Sequence, residues 1–248
     1  MANPSIVDEA VANEEVAVDE AAVEEVVFPD ANQLITEDDQ PVDNFASAKQ
    51  QRLLVSSLYS ALPDSVFLAE ANVGVYYTDQ QPIVPDVFVS FDVEVPADWW
   101  DKPNRCYLVW KFGKSPDVVV EIVSNKVGHE LDRKLQIYER MAASYYVLYD
   151  PSGQLGEEKL RVFELRGGYY FELSEFWMEH ANFGVTLWEG TFEGRADSWL
   201  RWCDREGNVL LTGDEIAERE KQRADRESQR AERLAELLRA QGIDPDSV

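Results

Sequence analysis

Cysteine and histidine are scarce in this 248-residue sequence, which contains two of each. Cys106 and Cys203 lie far apart and match no metal-binding spacing, so they predict reduced thiols of a cytoplasmic protein. His129 and His180 are equally isolated, which argues against a zinc site or a histidine-based nucleophile and predicts surface or loop positions. No apolar run approaches the roughly 18 residues of a membrane span, and the basic and apolar regions of a secretory signal are not seen.

Positive charge is scarce as well. The formal net charge is −25, and residues 1–44 contain 13 acidic residues and no basic one. The rest of the chain still carries −12, which argues against tight non-specific DNA binding, because such binding needs Lys and Arg to displace counterions. Residues 1–44 largely alternate Ala, Val and Glu, as in AVANEEVAVDEAAVEEVVF, and predict a solvated, disordered acidic tail.

Apolar residues make up 45% of the chain, enough for the core of one domain, which we place at residues 45–212. Helical periodicity is found over 46–62 and again over 130–143. Strand-like segments are found at 66–69, 73–77, 84–91, 118–123, 145–149, 160–165 and 169–173. This order predicts a mixed α/β sandwich, of the α+β kind, in which the middle strands are central.

Residues 213–248 predict a highly charged helical tail. Small or apolar residues recur there every seven positions: Ala217, Ala224, Ala231 and Leu238. Leu234 adds one intervening core position, but Glu220 and Glu227 occupy the others, so the coiled-coil seam is weak. A solvated single helix and a helix that forms a homodimer both remain open.

Two of the predicted strands begin with Pro-Asp and continue as apolar runs, at Asp86 and at Asp117. The second run, VVVEIV, contains Glu121, and a buried acid requires a partner or a cation. If the two strands are neighbours, Asp86 and Glu121 converge on one point, as a hard-metal site requires. The alternative is that both aspartates merely begin strands and that Glu121 pairs with an Arg or Lys.

A lysine lies on the apolar face of the second helix. Projection of 130–143 at 100° per residue places Lys134 within the arc of apolar residues, where it should meet a carboxylate or a substrate anion. The alternative is a structural lysine whose stem extends to water. Two acids and a lysine suit phosphodiester hydrolysis, in which carboxylates hold Mg²⁺ and a lysine steadies the nucleophile or the developing charge.

The segment SPDVVVEIVSNKVGHELDRKLQIYERMAASYYVLYDP resembles the core of the Uma-type family of restriction endonuclease-like proteins, within the PD-(D/E)XK nuclease superfamily. The shared positions are Pro116, Asp117, Glu121, Ser124, Asp132, Lys134, Tyr138 and Asp150-Pro151, with Pro85-Asp86 upstream. The resemblance covers about residues 45–240 and is closest over 84–151. The charged C-terminal helix is also usual in that family.

The resemblance implies an αβββαβ core with Asp86 and Glu121 as ligands of Mg²⁺ or Mn²⁺. Val123 occupies the lysine position of the superfamily's Glu-x-Lys, so the resemblance implies that Lys134 is its migrated replacement. The first helix lacks the glutamate that the family often has there. Glu70, on the first strand, is the nearest acidic candidate, and we place it with Asp117 at the margin of the site.

Two functions from different classes follow. The first is a Mg²⁺-dependent endonuclease whose partner is nucleic acid, with catalytic residues Asp86, Glu121 and Lys134. The second is a catalytically silent scaffold of the same fold that assembles through its C-terminal helix; the scarcity of Lys and Arg near the site favours it. Trp99-Trp100 predicts an exposed turn between the two acidic strands, to which the sequence assigns no role.

Overall fold

The computed structural model describes residues 44–124, 130–242 and 244–245, so the predicted acidic tail (apart from Asn44) and His129 lie outside the described residues. The helices are α1 (Phe45–Ala61), α2 (Val109–Phe112), α3 (Leu135–Met141) and α4 (Gly213–Ala240), with a 3-10 turn at Lys102–Asn104 and a π-helical turn at Glu130–Lys134. The strands are β1 (Phe67–Ala71), β2 (Val75–Tyr76), β3 (Val87–Phe91), β4 (Tyr107–Leu108), β5 (Val118–Ile122), β6 (Tyr145–Tyr149), β7 (Leu160–Arg166), β8 (Tyr169–Glu172), β9 (Trp177–Met178), β10 (Phe183–Phe192) and β11 (Arg195–Cys203).

A six-stranded mixed sheet in the order β1-β3-β5-β6-β7-β8 forms the centre of the domain. Its pairs are antiparallel except for β5 and β6, which run parallel. The predicted adjacency of the two acidic strands is confirmed, since Phe88 of β3 lies opposite Val119 of β5. The mixed α/β class is confirmed as well, and α1, β1, β3, β5, α3 and β6 form the expected αβββαβ core.

Apolar residues on both faces explain why β5 and β6 lie in the middle of the sheet. On one face, Val118 and Val120 pack in a core cluster with Leu54 and Leu58 of α1. On the other face, Val119 packs in a second cluster with residues of α3. The side chains of β5 therefore point alternately toward α1 and toward α3, and residue 121 falls on the α3 face.

A second sheet, in the order β11-β10-β9, was not predicted from the sequence. It packs on α1, where the indole Nε1 of Trp202 donates a hydrogen bond to the Leu54 carbonyl oxygen at 2.8 Å. The buried Gln50 side chain bonds to both backbone groups of Leu200, donating at 2.8 Å and accepting at 3.0 Å. These bonds fix α1 between the two sheets.

Two predicted elements are partly wrong. The strand expected over 73–77 is the two-residue β2, which pairs with β4 outside the main sheet. The helix expected over 130–143 begins with five residues of π-helix, and α3 ends where Ala142 takes a left-handed conformation with φ of 62°. The other strand expectations are matched within a few residues, including the hairpin of β7 and β8.

The C-terminal helix α4 begins at the predicted residue. Thr212 forms a capping box with Glu215, whose carboxylate also bonds to the buried Arg201 at 2.7 Å. Beyond this anchor α4 contains no buried residue, and Leu234 and Leu237 are more than half exposed. The homodimer stays one of the two alternatives for this helix. Within the described part of the chain, no helix has the length and apolar character to cross a membrane.

Candidate active site

Glu121 is a buried acid at the centre of the main sheet, with 2% of its side chain exposed. Its two carboxylate oxygens have different partners. Oε2 accepts a hydrogen bond from the Lys134 ammonium at 2.7 Å, and Oε1 accepts one from the Tyr138 hydroxyl at 2.5 Å. The sheet supplies the acid and the adjoining helix supplies both donors, so the carboxylate is held from one side.

The spacing of the two donors explains how one helix provides both. Lys134 is the last residue of the π-helical turn, and Tyr138 follows four residues later in α3. Residues four apart lie on the same face of a helix. π-Helical turns are rare and often occur at functional sites. The predicted position of Lys134, on the core-facing side of this helix, agrees with its contact to Glu121.

Asp86 lies beside Glu121, immediately before the neighbouring strand. It precedes β3, and its Oδ2 accepts a hydrogen bond from the backbone N–H of Ile122 at 2.6 Å. Its Oδ1 accepts one from the side-chain amide of Gln51 at 2.9 Å. The structure therefore brings Asp86, Glu121 and Lys134 together at one end of the β3–β5 pair.

Burial dominates the electrostatics of this site. It raises the pKa of Glu121 from 4.5 to about 8, against the attraction of the Lys134 ammonium, and the negative charge of Asp86 raises it further. The pKa of the Tyr138 hydroxyl is raised well above its usual value by burial and by Glu121, so it stays a hydrogen-bond donor. A cation near the two carboxylates would favour the charged form of Glu121.

Gln51 is a site residue that the sequence analysis missed. It lies on α1, 3% exposed, and besides its bond to Asp86 it accepts a hydrogen bond from the Asn72 side chain at 2.9 Å. The family resemblance indicated only that the first helix lacks a glutamate, and it did not indicate which residue takes that place. The structure shows that this helix contributes an amide to Asp86.

Asp117 lies away from this pair, whereas Glu70 lies on the next strand, two residues from the level of Asp86. Asp117 precedes β5 at the opposite end from Glu121, and its Oδ2 accepts hydrogen bonds from the Lys114 ammonium at 2.6 Å and from the backbone N–H of Phe91 at 2.8 Å. Glu70 lies on β1 opposite Phe88, on the same face of the sheet as Glu121, and burial raises its pKa. Neither residue contacts the Asp86–Glu121 pair.

The donor set fits a magnesium ion. Mg²⁺ keeps several waters and is held by one or two carboxylates together with substrate phosphate. Asp86 and Glu121 supply two hard oxygen donors on adjacent strands, and the negative charge of Asp86 raises the pKa of Glu121. Among the described residues there is no group of three or more His, Cys, Asp or Glu side chains that could hold a metal. The described residues therefore do not form a metal site in which protein ligands alone surround the ion.

Comparison with known proteins gives one family match. Residues 34–180, more than half of the chain, match the family model described as "Uma2: Putative restriction endonuclease". No curated protein sequence matches the chain. Among solved structures, the chain is similar to the "putative nuclease belonging to DUF820 from Anabaena variabilis ATCC 29413", with 18% identity and a TM-score of 0.41 over 55% of this chain and 72% of that chain.

Proposed function

Because the chain belongs to the Uma2 family of restriction endonuclease-like proteins, we propose that it is a metal-dependent endonuclease that hydrolyses phosphodiester bonds of nucleic acid. One observation carries the proposal. Two acids from adjacent strands, Asp86 and Glu121, lie side by side, and the Lys134 ammonium is bonded to the second of them. Metal-dependent phosphodiester hydrolysis uses carboxylates to hold the ion, and a nearby cation can stabilise the developing charge.

Asp86 and Glu121 are the proposed ligands of Mg²⁺, with Mn²⁺ as a substitute. When bound, the ion polarises the scissile phosphate and lowers the pKa of a water molecule. The partners of the carboxylates then act as positioning groups, since Tyr138 fixes one oxygen of Glu121 and Gln51 fixes one of Asp86. Fixed ligands reduce the reorganisation that the reaction requires.

Lys134 is the proposed electrostatic catalyst. Its side chain is 29% exposed whereas that of Glu121 is 2% exposed, so the lysine forms the solvent-facing part of the pair. An ammonium in this position can steady an attacking hydroxide or the negative charge that develops on the phosphate. Its bond to Glu121 also keeps it from moving away when the site is empty of substrate.

The experiment is a cleavage assay with Mg²⁺, Mn²⁺ or EDTA on single-stranded DNA, double-stranded DNA and RNA. We expect the wild-type chain to cleave at least one substrate with a divalent ion, and Glu121→Gln to lose the activity by orders of magnitude. Asp117→Asn is the matched control, because it neutralises an acid of the same strand region that is paired with Lys114 at the other end. We expect it to cleave normally.

The scaffold hypothesis expects a different outcome. Under it the wild-type chain cleaves none of these substrates with either ion, although it is folded and binds partners through α4. Equal activity of Glu121→Gln and Asp117→Asn would also refute the proposed site, since contaminating nuclease or another site would then explain the cleavage.

A further inference from the structure

A cavity of about 450 Å³ lies on the α3 face of the sheet, next to the edge strand β1. Leu68 and Phe88 from β1 and β3 line it on the sheet side. Trp99 and Trp100, from the connection between β3 and β4, line it as well. The cavity is therefore mostly apolar and contains several aromatic surfaces, as ligand sites usually do.

Glu70 is a carboxylate that lines this apolar cavity. Burial raises its pKa, and no hydrogen bond or ion pair to its side chain is found among the described residues. Glu70 is half-buried and therefore reached by water, and its carboxylate can accept hydrogen bonds from a ligand that displaces this water. The cavity thus offers an acceptor for N–H donors between flat apolar walls.

The tryptophan pair is held in place although it is exposed. The Trp99 and Trp100 side chains are 56% and 78% exposed, with ring centroids 6.0 Å apart. The Arg105 Nε donates a hydrogen bond to the Trp100 carbonyl oxygen at 2.9 Å, and the Asn104 side chain donates one to the Asp98 carbonyl oxygen at 2.8 Å. Hydrogen bonds within the loop order its backbone. Two exposed indoles on such a loop are suited to binding a partner.

The cavity adjoins the proposed active site. Glu70 lies opposite Phe88, and the backbone N–H of Asn72 donates a hydrogen bond to the Asp86 carbonyl oxygen at 3.3 Å. Glu70 is therefore displaced from the level of Asp86 by two strand residues, which is roughly 7 Å. A nucleotide next to a phosphate bound at Asp86 and Glu121 can reach that distance.

We propose that this cavity binds one unpaired base of the nucleic-acid strand whose backbone lies at the active site. The base stacks on Trp100, the more exposed of two indoles whose planes stand at 71° to each other, and Glu70 accepts hydrogen bonds from its Watson–Crick edge. This inference rests on the proposed nuclease function and specifies its substrate as a single strand, or a duplex with a base turned out. Guanine is the preferred base, because its edge presents two adjacent N–H donors to a carboxylate.

The charge of the protein favours this mode of binding. Residues 45–248 carry a net charge of −12, so phosphate contacts supply little affinity. Stacking of bases on aromatic side chains does not depend on such contacts and contributes on the order of 1–3 kcal/mol per base. Stacking in the aromatic cavity therefore contributes binding free energy that does not depend on Lys or Arg.

The test is fluorescence anisotropy of two labelled oligonucleotides in EDTA, where no metal-dependent cleavage occurs. One is an octamer of dT, and the other has a single central dG. We expect the wild-type chain to bind the dG octamer about tenfold more tightly, because a bidentate contact discriminates by roughly that factor. Trp100→Ala should weaken both complexes at least about fivefold. Glu70→Gln should leave dT binding unchanged and reduce the guanine preference to less than about twofold.

Tyr169→Ala is the matched control, since it removes an aromatic side chain that is 69% exposed on β8, at the other edge of the sheet. Binding by this variant should equal that of the wild type. Three results would overturn the inference: no binding of either octamer, equal binding by the Trp100 and Tyr169 variants, or equally tight binding of a fully paired duplex. A guanine preference that persists in Glu70→Gln overturns it too.

The outcomes separate this inference from the nuclease proposal. Trp100-dependent binding without cleavage on any substrate supports the base cavity and refutes the nuclease. Cleavage that Trp100→Ala leaves unchanged, together with no Trp100-dependent binding, supports the nuclease and overturns the base cavity.

Discussion

Glu121→Gln should alter stability in a way that depends strongly on pH. The pKa of Glu121 is about 8 in the folded protein, against an ordinary value of 4.5. Because the folded state holds the proton more tightly, the contribution of Glu121 to stability is fully present below pH 4.5 and is lost as pH rises toward 8. Glutamine does not titrate, so the variant escapes this loss.

The magnitude follows from the two pKa values. Each pH unit between them changes the free energy of unfolding by about 1.4 kcal/mol. Between pH 5 and pH 8 the wild type should therefore lose about 4 kcal/mol relative to Glu121→Gln. Solvent screening reduces this free-energy change little, because only 2% of the Glu121 side chain is exposed.

The assay is urea unfolding of both proteins in EDTA at pH 5, 6, 7 and 8, and the quantity of interest is the difference in unfolding free energy at each pH. Glu172→Gln is the control, because a hydrogen bond from Arg161 lowers the pKa of the surface residue Glu172 and its charged form is already favoured. Its difference from the wild type should not grow with pH. A constant difference for Glu121→Gln would refute the claim that burial governs the site.

Further predictions concern the neighbours of this acid and the C-terminal helix. Mg²⁺ at ten times its dissociation constant should stabilise the wild type at pH 8 by about 1.4 kcal/mol in urea unfolding and leave Glu121→Gln unchanged. Lys134→Met should keep Mn²⁺ binding by calorimetry and lose cleavage, because it deletes the ammonium and keeps the stem; unchanged cleavage would remove the lysine from the mechanism. Gln51→Met should cost about 1.5–3 kcal/mol in urea unfolding, since it removes a buried donor to a carboxylate, whereas Ser56→Ala on the exposed side of the same helix should cost little. Of the two alternatives for α4, the homodimer requires that removal of 213–248 convert a dimer into a monomer in sedimentation experiments; an unchanged oligomeric state would contradict that alternative.

The sequence predicted the elements whose pattern is local. The run VVVEIV gave β5 as a strand buried on both faces, and helical projection placed Lys134 on the face that meets Glu121. The cost of burying an acid in such a run is a general property, so it indicated the site without knowledge of the fold. The roles of these residues in catalysis stay predictions.

The rest depends on contacts that no local pattern records. Gln51 bonds to Asp86 across 35 residues, and a glutamine in a helix gives no signal of such a partner. In β10 only the first three residues are buried, and the remaining positions alternate between partly buried and exposed. The strand therefore lacks the continuous apolar run that identified β5 in the sequence. The π-helical turn before α3 has the composition of an ordinary helix, so the sequence does not distinguish its wider hydrogen-bonding pattern from that of an α-helix.

The two adjacent glutamines of α1 have a mechanical consequence. Gln50 is bonded to the backbone of β11, while Gln51, turned about 100° around the same helix, is bonded to Asp86. The β10–β11 hairpin and a proposed metal ligand are therefore bonded to adjacent residues of one helix, with no loop between the two contacts. The hairpin tip is coupled to the same helix, since Glu193 bonds to Arg52. We therefore expect substitutions in the hairpin to alter the position of Asp86 without touching it.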